Sequence, residues 1–455
     1  MRRQYIAIFV LSTVTVCLLA VVAYNLPPIH ERLAWRVDNL RVAVKRYFNP
    51  PEQVVFVPQE KVDAIVQGTL TAMASAPTPA LPPNQTETLP ASPVPSPTLA
   101  AIPAEAAIQG IRHEYQKFNN CAPATLSMVL SYWGWQGDQF QTRAYLRPSY
   151  EIDDKNVNPF EIVDFVEKYT EFDAVWRVGG NLETLKRLVA AGFPVMIEKG
   201  LHPSDDAWLG HYQAISGYDD SKGQFLVYDS YEGPPEAYGV SYETVAQFWR
   251  HFNYVYVVVY PPDRAAEVHS ILGANSDPQT NFQLATELAL YETGSLSGRE
   301  QFFAWFNRGA SLVSLQDYAA AAQAYDTAFT LYAALPQDER PWRLLWYQDG
   351  AYAAYYHTGR YQDVINLAQT TLINVDKPVL EETYYWRGLA REALGDRDGA
   401  LEDLHRADTL NPNSTPSGEQ LQRLGSSDSG DIPPLFSSGD RSGRSYTLVH
   451  AFIPK

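Results

Sequence analysis

The feature that most constrains the fold is a recurrence in the last third of the chain. Thr358-Gly359-Arg360-Tyr361 is answered by Leu394-Gly395-Asp396, with the two glycines 36 residues apart. Around them lie three helix-pair patterns. Arg308-Gly309, Gln316-Asp317-Tyr318, Ala321, Tyr325 and Ala328 fit the first; Thr358–Tyr361 with Ala368 fit the second. Gly388, Leu394–Asp396, Ala400, Leu404, Ala407 and Asn411-Pro412 fit the third. A unit of this length cannot bury its apolar face alone, so successive units must stack into a continuous core. Small residues at the crossings let paired helices approach, and large apolar ones fill the gaps. Residues 274–412 are therefore expected to be an all-α array, with Leu335–Trp342 inserted between the first two units and residues 274–298 supplying a poorly matching leading helix or cap. The tyrosines at 347, 352, 355 and 356 are assigned mainly to packing. Residues 413–455 turn Ser/Gly-rich and are expected to be a flexible tail, in which Tyr446–Ile453 can dock as a strand.

The other end of the chain is read from charge and apolarity. Arg2-Arg3 precede a 20-residue uncharged run, Tyr5–Tyr24. That is long enough to span a bilayer, so residues 1–24 are expected to be a transmembrane anchor or, with Val21-Val22-Ala23 as cleavage site, a signal segment. Residues 25–57 are basic and amphipathic, with Leu33, Val37, Leu40, Val44 and Phe48 among five basic residues, fitting an interfacial helix or a short solvated one. Residues 58–107 form a linker whose stretch from 76 onward is rich in Pro, Thr and Ala and behaves as a semi-extended spacer. The positive-inside count puts the C-terminal side in the cytoplasm, whereas the Pro/Thr stalk favours an extracytoplasmic position; the second is the expectation here, with a cleaved and secreted chain as the alternative. Of the formal charge of −17, residues 1–50 carry +5 and the remainder −22. Such an acidic exterior argues against a nucleic-acid partner.

Between stalk and array, residues 108–264 read as mixed α and β. Helices are expected near 122–133, 159–169, 181–191 and 241–251, and strands at 194–198, 212–217, 224–229 and 254–260. The loop Leu201–Gly210, with Trp208, Asp205 and Asp206, is either an exposed hairpin tip or a lid over a cleft. Pro261-Pro262 closes the segment.

The chemistry concentrates on Cys121. It is the only cysteine besides Cys17, which lies within the apolar N-terminal run, so no structural disulfide is expected and the thiol is free to react. A polar approach, Gln116-Lys117-Phe118-Asn119-Asn120, meets the thiol, and the apolar run Ala122–Leu130 suited to a buried helix follows it. A thiol at a helix N-terminus feels unpaired N–H groups and the positive end of the dipole, which favour thiolate. Downstream, Gly210-His211-Tyr212 and the strand-end Asp229 present a base and a carboxylate to orient it. Each has a plainer reading: a buried apolar thiol, a core histidine, a turn aspartate before Ser230–Pro235, a loop-capping glutamine. Asn119 and Asn120 are read as turn formers; His113, His202 and His251 as bystanders. Scattered histidines and one thiol do not make a zinc-ligand pattern, and no cofactor is expected.

Residues 113–260 resemble the papain-like peptidases that trim double-glycine leaders from bacteriocin precursors, cysteine peptidase family 39, in its transporter-free form. The match rests on Gln116 with Cys121-x-Pro123-Ala124-x-Leu126-x-Met128, on Gly210-His211-Tyr212 and on Asp229. It departs from that pattern in Ala122, where glycine commonly follows the nucleophile, and in a Gln116–Cys121 spacing one residue shorter than in papain. The resemblance implies an α+β papain-like domain with Cys121 as nucleophile, His211 as base, Asp229 fixing the imidazole, and Gln116 with the Cys121 backbone N–H at the oxyanion. The array likewise resembles tetratricopeptide repeats, which bind peptides or partner proteins. Together these imply an anchored cysteine peptidase with a peptide or protein substrate and a partner recruited by the repeats. The alternatives are a silent peptide-binding module and an acyl or peptide transferase using the same thiol.

Overall fold

A computed structural model describes residues 101–148, 156–202, 208–373 and 380–426, the segment 55–58 and a few isolated N-terminal positions. The anchor, most of the basic segment, the Pro-rich stretch and Tyr446–Ile453 lie outside these residues. Among the described residues no helix is long and apolar enough to cross a membrane.

The first folded part is built on a seven-stranded antiparallel sheet. Its strands are β1 (Glu105–Ala107), β2 (Asp173–Arg177), β3 (Val195–Leu201), β4 (Leu209–Asp219), β5 (Gln224–Tyr228), β6 (Tyr238–Ser241) and β7 (Tyr256–Tyr260), in the order β2-β7-β3-β4-β5-β6, with β1 also on β4. Five helices precede or cover it: α1 (Cys121–Tyr132), α2 (Gln139–Leu146), α3 (Pro159–Tyr169), α4 (Leu182–Ala190) and α5 (Tyr242–Arg250). The four expected helices and four expected strands all form, within one to three residues of the boundaries read from sequence, except that β3 and β4 run three residues further towards the loop between them. β7 is buried at every position because apolar side chains cover both its faces.

The weakly patterned elements are the ones sequence reading leaves out. β1 falls in the segment assigned to the linker, so the ordered domain begins earlier than residue 108; three residues pair Ala107 with Gly217 and have no periodicity of their own. β2 reads Asp-Ala-Val-Trp-Arg and is a strand only because β7 supplies its ladder. α2 has a polar sequence and is held by its Asp138 N-cap, whose carboxylate accepts from the Phe140 and Gln141 N–H groups.

A short helix α6 (Ala265–Leu272) leads into the array: α7 (Pro278–Ser295), α8 (Gly298–Ser314), α9 (Tyr318–Ala334), α10 (Gly350–His357), α11 (Tyr361–Ile373), α12 (Glu381–Ala393) and α13 (Arg397–Leu410). These give the three expected pairs, the leading helix and the insertion. A further helix, α14 (Thr415–Ser426), occupies the start of the segment expected to be loose. It forms because Leu424 is buried against the array, whose last pair would otherwise expose its apolar face, and Arg397 donates to the Leu424 carbonyl. Tyr352 and Tyr355 are fully buried, as their packing role requires. Phe56, in the segment read as juxtamembrane, is also buried, set edge-on against Phe329 at 5.1 Å.

The two parts share one apolar cluster. Val178, Trp208, Phe252 and Val255 from the sheet domain pack with Phe303 and the core of the array. Trp208 is 2% exposed, so an exposed hairpin tip at this residue is excluded: its ring stacks on Phe252 at 5.9 Å and packs on Phe303 at 5.7 Å. Polar bonds surround this apolar contact. Arg250 bridges Glu292 and Glu300, both at 2.9 Å; Asn253 donates to Ser311 and Asn307 to the Arg250 carbonyl. His251, read as a bystander for chemistry, lies at the centre of the contact, accepting from Trp208 at Nδ1 and stacking on Phe303 at 3.9 Å.

Candidate active site

Cys121 opens α1, whose following nine residues are all buried. The loop before it is fixed from two sides. Gln139 accepts from the Lys117 backbone N–H and the Asn120 side chain and donates to the Tyr115 carbonyl, while Arg147 donates to the Phe118 carbonyl. Asn119 turns the chain in the left-handed region, φ 49°, as a turn former does. Asn120 is wholly buried and serves as the helix N-cap position without a side-chain capping bond. Gln139 and Arg147 carry no motif, which is why sequence reading passed them by; only the folded loop shows what they hold.

The structure brings together Cys121, His211 and Asp229, and it holds Gln116 through Ser230, the residue after Asp229. His211 lies on β4, opposite Lys199 of β3. Its Nε2 meets Asp229 Oδ1 at 2.9 Å, so Nε2 carries the proton and Nδ1 is left for the thiol, whose acidity the ring raises. Asp229 immediately follows β5. Its Oδ1 also accepts from the Tyr231 and Glu232 N–H groups at 2.7 and 3.0 Å, and Gln213 donates to Oδ2 at 2.8 Å. Asp229 is thus both the turn residue and the histidine's partner. Gln213 stands two residues from His211 on one strand, a period-2 relation that sequence reading had within reach and did not use. The Gln116 side-chain oxygen accepts from Ser230 at 2.9 Å, and its backbone N–H donates to the Ser230 carbonyl, which leaves the amide nitrogen as the donor end. His113 holds the Asp229 carbonyl at 2.8 Å. It touches the site's frame without reaching the thiol's partner ring.

The charges follow from this packing. Burial works against thiolate at Cys121, but the His211 hydrogen bond and charge, the Tyr212 backbone and Arg147 outweigh it and pull the thiol below its ordinary value. Burial likewise pushes His211 down, while the Asp229 charge and hydrogen bond, then Cys121, raise it to about 9. At Asp229 burial is overcome by His211, Lys199 and the Glu232 N–H, and the carboxylate drops to about 2. These shifts all favour a thiolate beside an imidazolium, resting on an ionised carboxylate. The arrangement can deliver a nucleophile and return a proton to a leaving group.

Gly210, beside the histidine, is required by a close approach. A Cβ there would lie 2.6 Å from the Phe252 ring and 2.9 Å from Tyr347. Its cross-strand partner Gly200 stands as close to His251. Gly210→Ala is expected to push β4 off the array and displace His211, costing about 1–3 kcal/mol by equilibrium denaturation. An unchanged melting midpoint with full thiol reactivity would disprove this.

The segment that carries this site is similar to C39-like peptidases, and the segment after it to helical repeats. Residues 108–257 match the model of the Peptidase_C39 like family, and residues 381–414 that of the tetratricopeptide repeat. Among solved structures, one of a candidate C39-like peptidase from Bacillus anthracis is similar at 17% identity and a TM-score of 0.29, covering 34% of this chain and 96% of that one. No curated protein matches.

Proposed function

We propose that this chain is a membrane-anchored cysteine peptidase that cleaves peptide bonds through Cys121, His211 and Asp229, with its repeats engaging a protein partner. The observation that carries the reading is the buried His211–Asp229 pair, whose imidazole makes the Cys121 thiol more acidic, at the start of a buried helix within a segment similar to C39-like peptidases. The Cys121 thiolate attacks the acyl carbon, and the His211 imidazolium protonates the departing amine. Water then opens the thioester with His211 as base. The Gln116 amide nitrogen and the Cys121 backbone N–H, which starts the helix and precedes its first intrahelical acceptor, stabilise the oxyanion. The face of the array built by α8 and α12 is turned to the peptidase domain, so an external partner engages the remaining surface. Anchoring and an extracytoplasmic position rest on Tyr5–Tyr24 and on the Pro/Thr stalk.

The test is labelling of cells with a membrane-impermeant peptidyl electrophile. Covalent mass on the Cys121 peptide, recovered from the membrane pellet and absent in Cys121→Ala, is the expected result. A chain that stays unlabelled even after lysis excludes the peptidase. Labelling only after lysis excludes the orientation, and labelled protein confined to the soluble fraction excludes the anchor.

A further inference from the structure

A cavity of about 280 Å³ lies between the sheet domain and the array and is lined by neither Cys121 nor His211. Its wall is aromatic, with Trp176 and Phe252 on one side and Tyr385 and Trp386 on the other. Carboxyl residues outnumber the one ammonium, Lys168, in its lining, and among them are Glu198 from β3 and Asp349 at the start of α10. Buried polar atoms on lining residues are left without a hydrogen-bond partner, among them Glu198 Oε1, Tyr325 Oη and Tyr385 Oη, on residues 4%, 0% and 5% exposed. Buried polar atoms are almost always satisfied. A carboxyl oxygen and two phenol hydroxyls left open on one cavity mark the place of a polar group that the described residues do not supply.

We propose that this cavity binds an organic amine, an apolar body carrying one or more ammonium groups. An ammonium brings three donors and no acceptor, matching a wall that offers carboxyl and phenol oxygens, and aromatic faces attract the same charge. An anion or a neutral ligand gives Glu198 and Asp349 no reason to ionise, whereas an ammonium stabilises their charged form. In the empty cavity burial raises both Glu198 and Asp349 above the usual carboxylate range, so they are held protonated more readily than in water. The Tyr212 hydroxyl is shared between Glu198 Oε2 and the Val157 carbonyl, both at 2.9 Å, so it satisfies neither in full. Entry of the amine ionises Glu198 and releases its proton.

The site does not depend on peptide hydrolysis, and its test reads binding. The full chain is titrated calorimetrically with 1,5-diaminopentane at pH 7 in two buffers of different ionisation enthalpy, with 1,5-pentanediol and glutarate as neutral and anionic matches. Saturable binding of the diamine alone, with proton release, is expected. Glu198→Gln, which mimics the protonated carboxyl, is expected to weaken it at least about tenfold and to remove the proton release. Tyr385→Phe should weaken it less. No saturable binding overturns the proposal, as does equal binding of the diol. Undiminished affinity in Glu198→Gln overturns it too, by placing the amine on the acidic exterior. Should Glu198→Gln fail to fold, unchanged affinity in both Tyr385→Phe and Tyr325→Phe has the same force.

Discussion

Alkylation of Cys121 by iodoacetamide is expected to stay fast below pH ~7 and to lose that reactivity in His211→Ala, whose thiol should titrate near the ordinary ~8.5. The direction follows from the pair. The Cys121 thiol is lowered and His211 raised to about 9, so thiolate and imidazolium coexist between those two values. Alkylation needs only the thiolate and should show an acid limb alone. Hydrolysis also needs the imidazolium proton, so its rate should fall again as pH rises through about 9. Cys121→Ala should abolish turnover, and His211→Ala should lower it about 10²–10⁴-fold. Asp229→Asn should cost much less, because an amide oxygen can still accept from His211 Nε2. Gln213 can turn its unpartnered Oε1 to the new amide. Its signature is an alkaline limb moved to lower pH, since the negative charge that raises His211 is gone. An alkylation profile indistinguishable from that of a free thiol, with no dependence on His211, would remove the catalytic reading.

Trp208→Ala is expected to destabilise the whole described molecule by about 3–5 kcal/mol. The side chain is buried between the domains, and its removal leaves a hole facing Phe252 and Phe303 and takes the donor from His251 Nδ1. Because the apolar cluster is continuous across the contact, the unsubstituted protein should unfold in one transition seen alike by circular dichroism and by fluorescence. The variant should unfold earlier, with peptidase domain and array melting separately. A variant that keeps a single transition at the original midpoint would show that the contact holds little. The same contact has a pH dependence of known sign. Burial lowers His251 below its ordinary value, and its neutral form accepts from Trp208. Acidification through the unfolded-state pKa of about 6.5 therefore weakens the contact.

How much was legible beforehand depended on whether a signal was local. The period of the array, the apolar run after Cys121 and the alternation of Tyr254–Tyr260 each repeat within one segment, so helices, strands and repeat pairs emerge with nearly the right boundaries. Cys121, His211, Asp229 and Gln116 could be singled out because each sits in a short motif of its own. Gln139, Arg147, Ser230 and Lys199 could not, because what they do is hold groups distant in sequence. Trp208 was misread for the same reason. A tryptophan flanked by aspartates between two strands looks like a solvent-facing tip until an array that starts some seventy residues later covers it.

The sequence by itself determined the strongly periodic elements and the repeat architecture, and it singled out Cys121, His211, Asp229 and Gln116 as candidates, because hydrophobic periodicity and helix-start chemistry act over a few residues. Only the tertiary structure decided which nitrogen of His211 faces the thiol, that Asp229 stays ionised, and that the array closes over the peptidase domain around a carboxyl-lined cavity. Those outcomes depend on desolvation and on contacts between segments far apart in the chain. They exist only once the two domains have buried each other's surfaces.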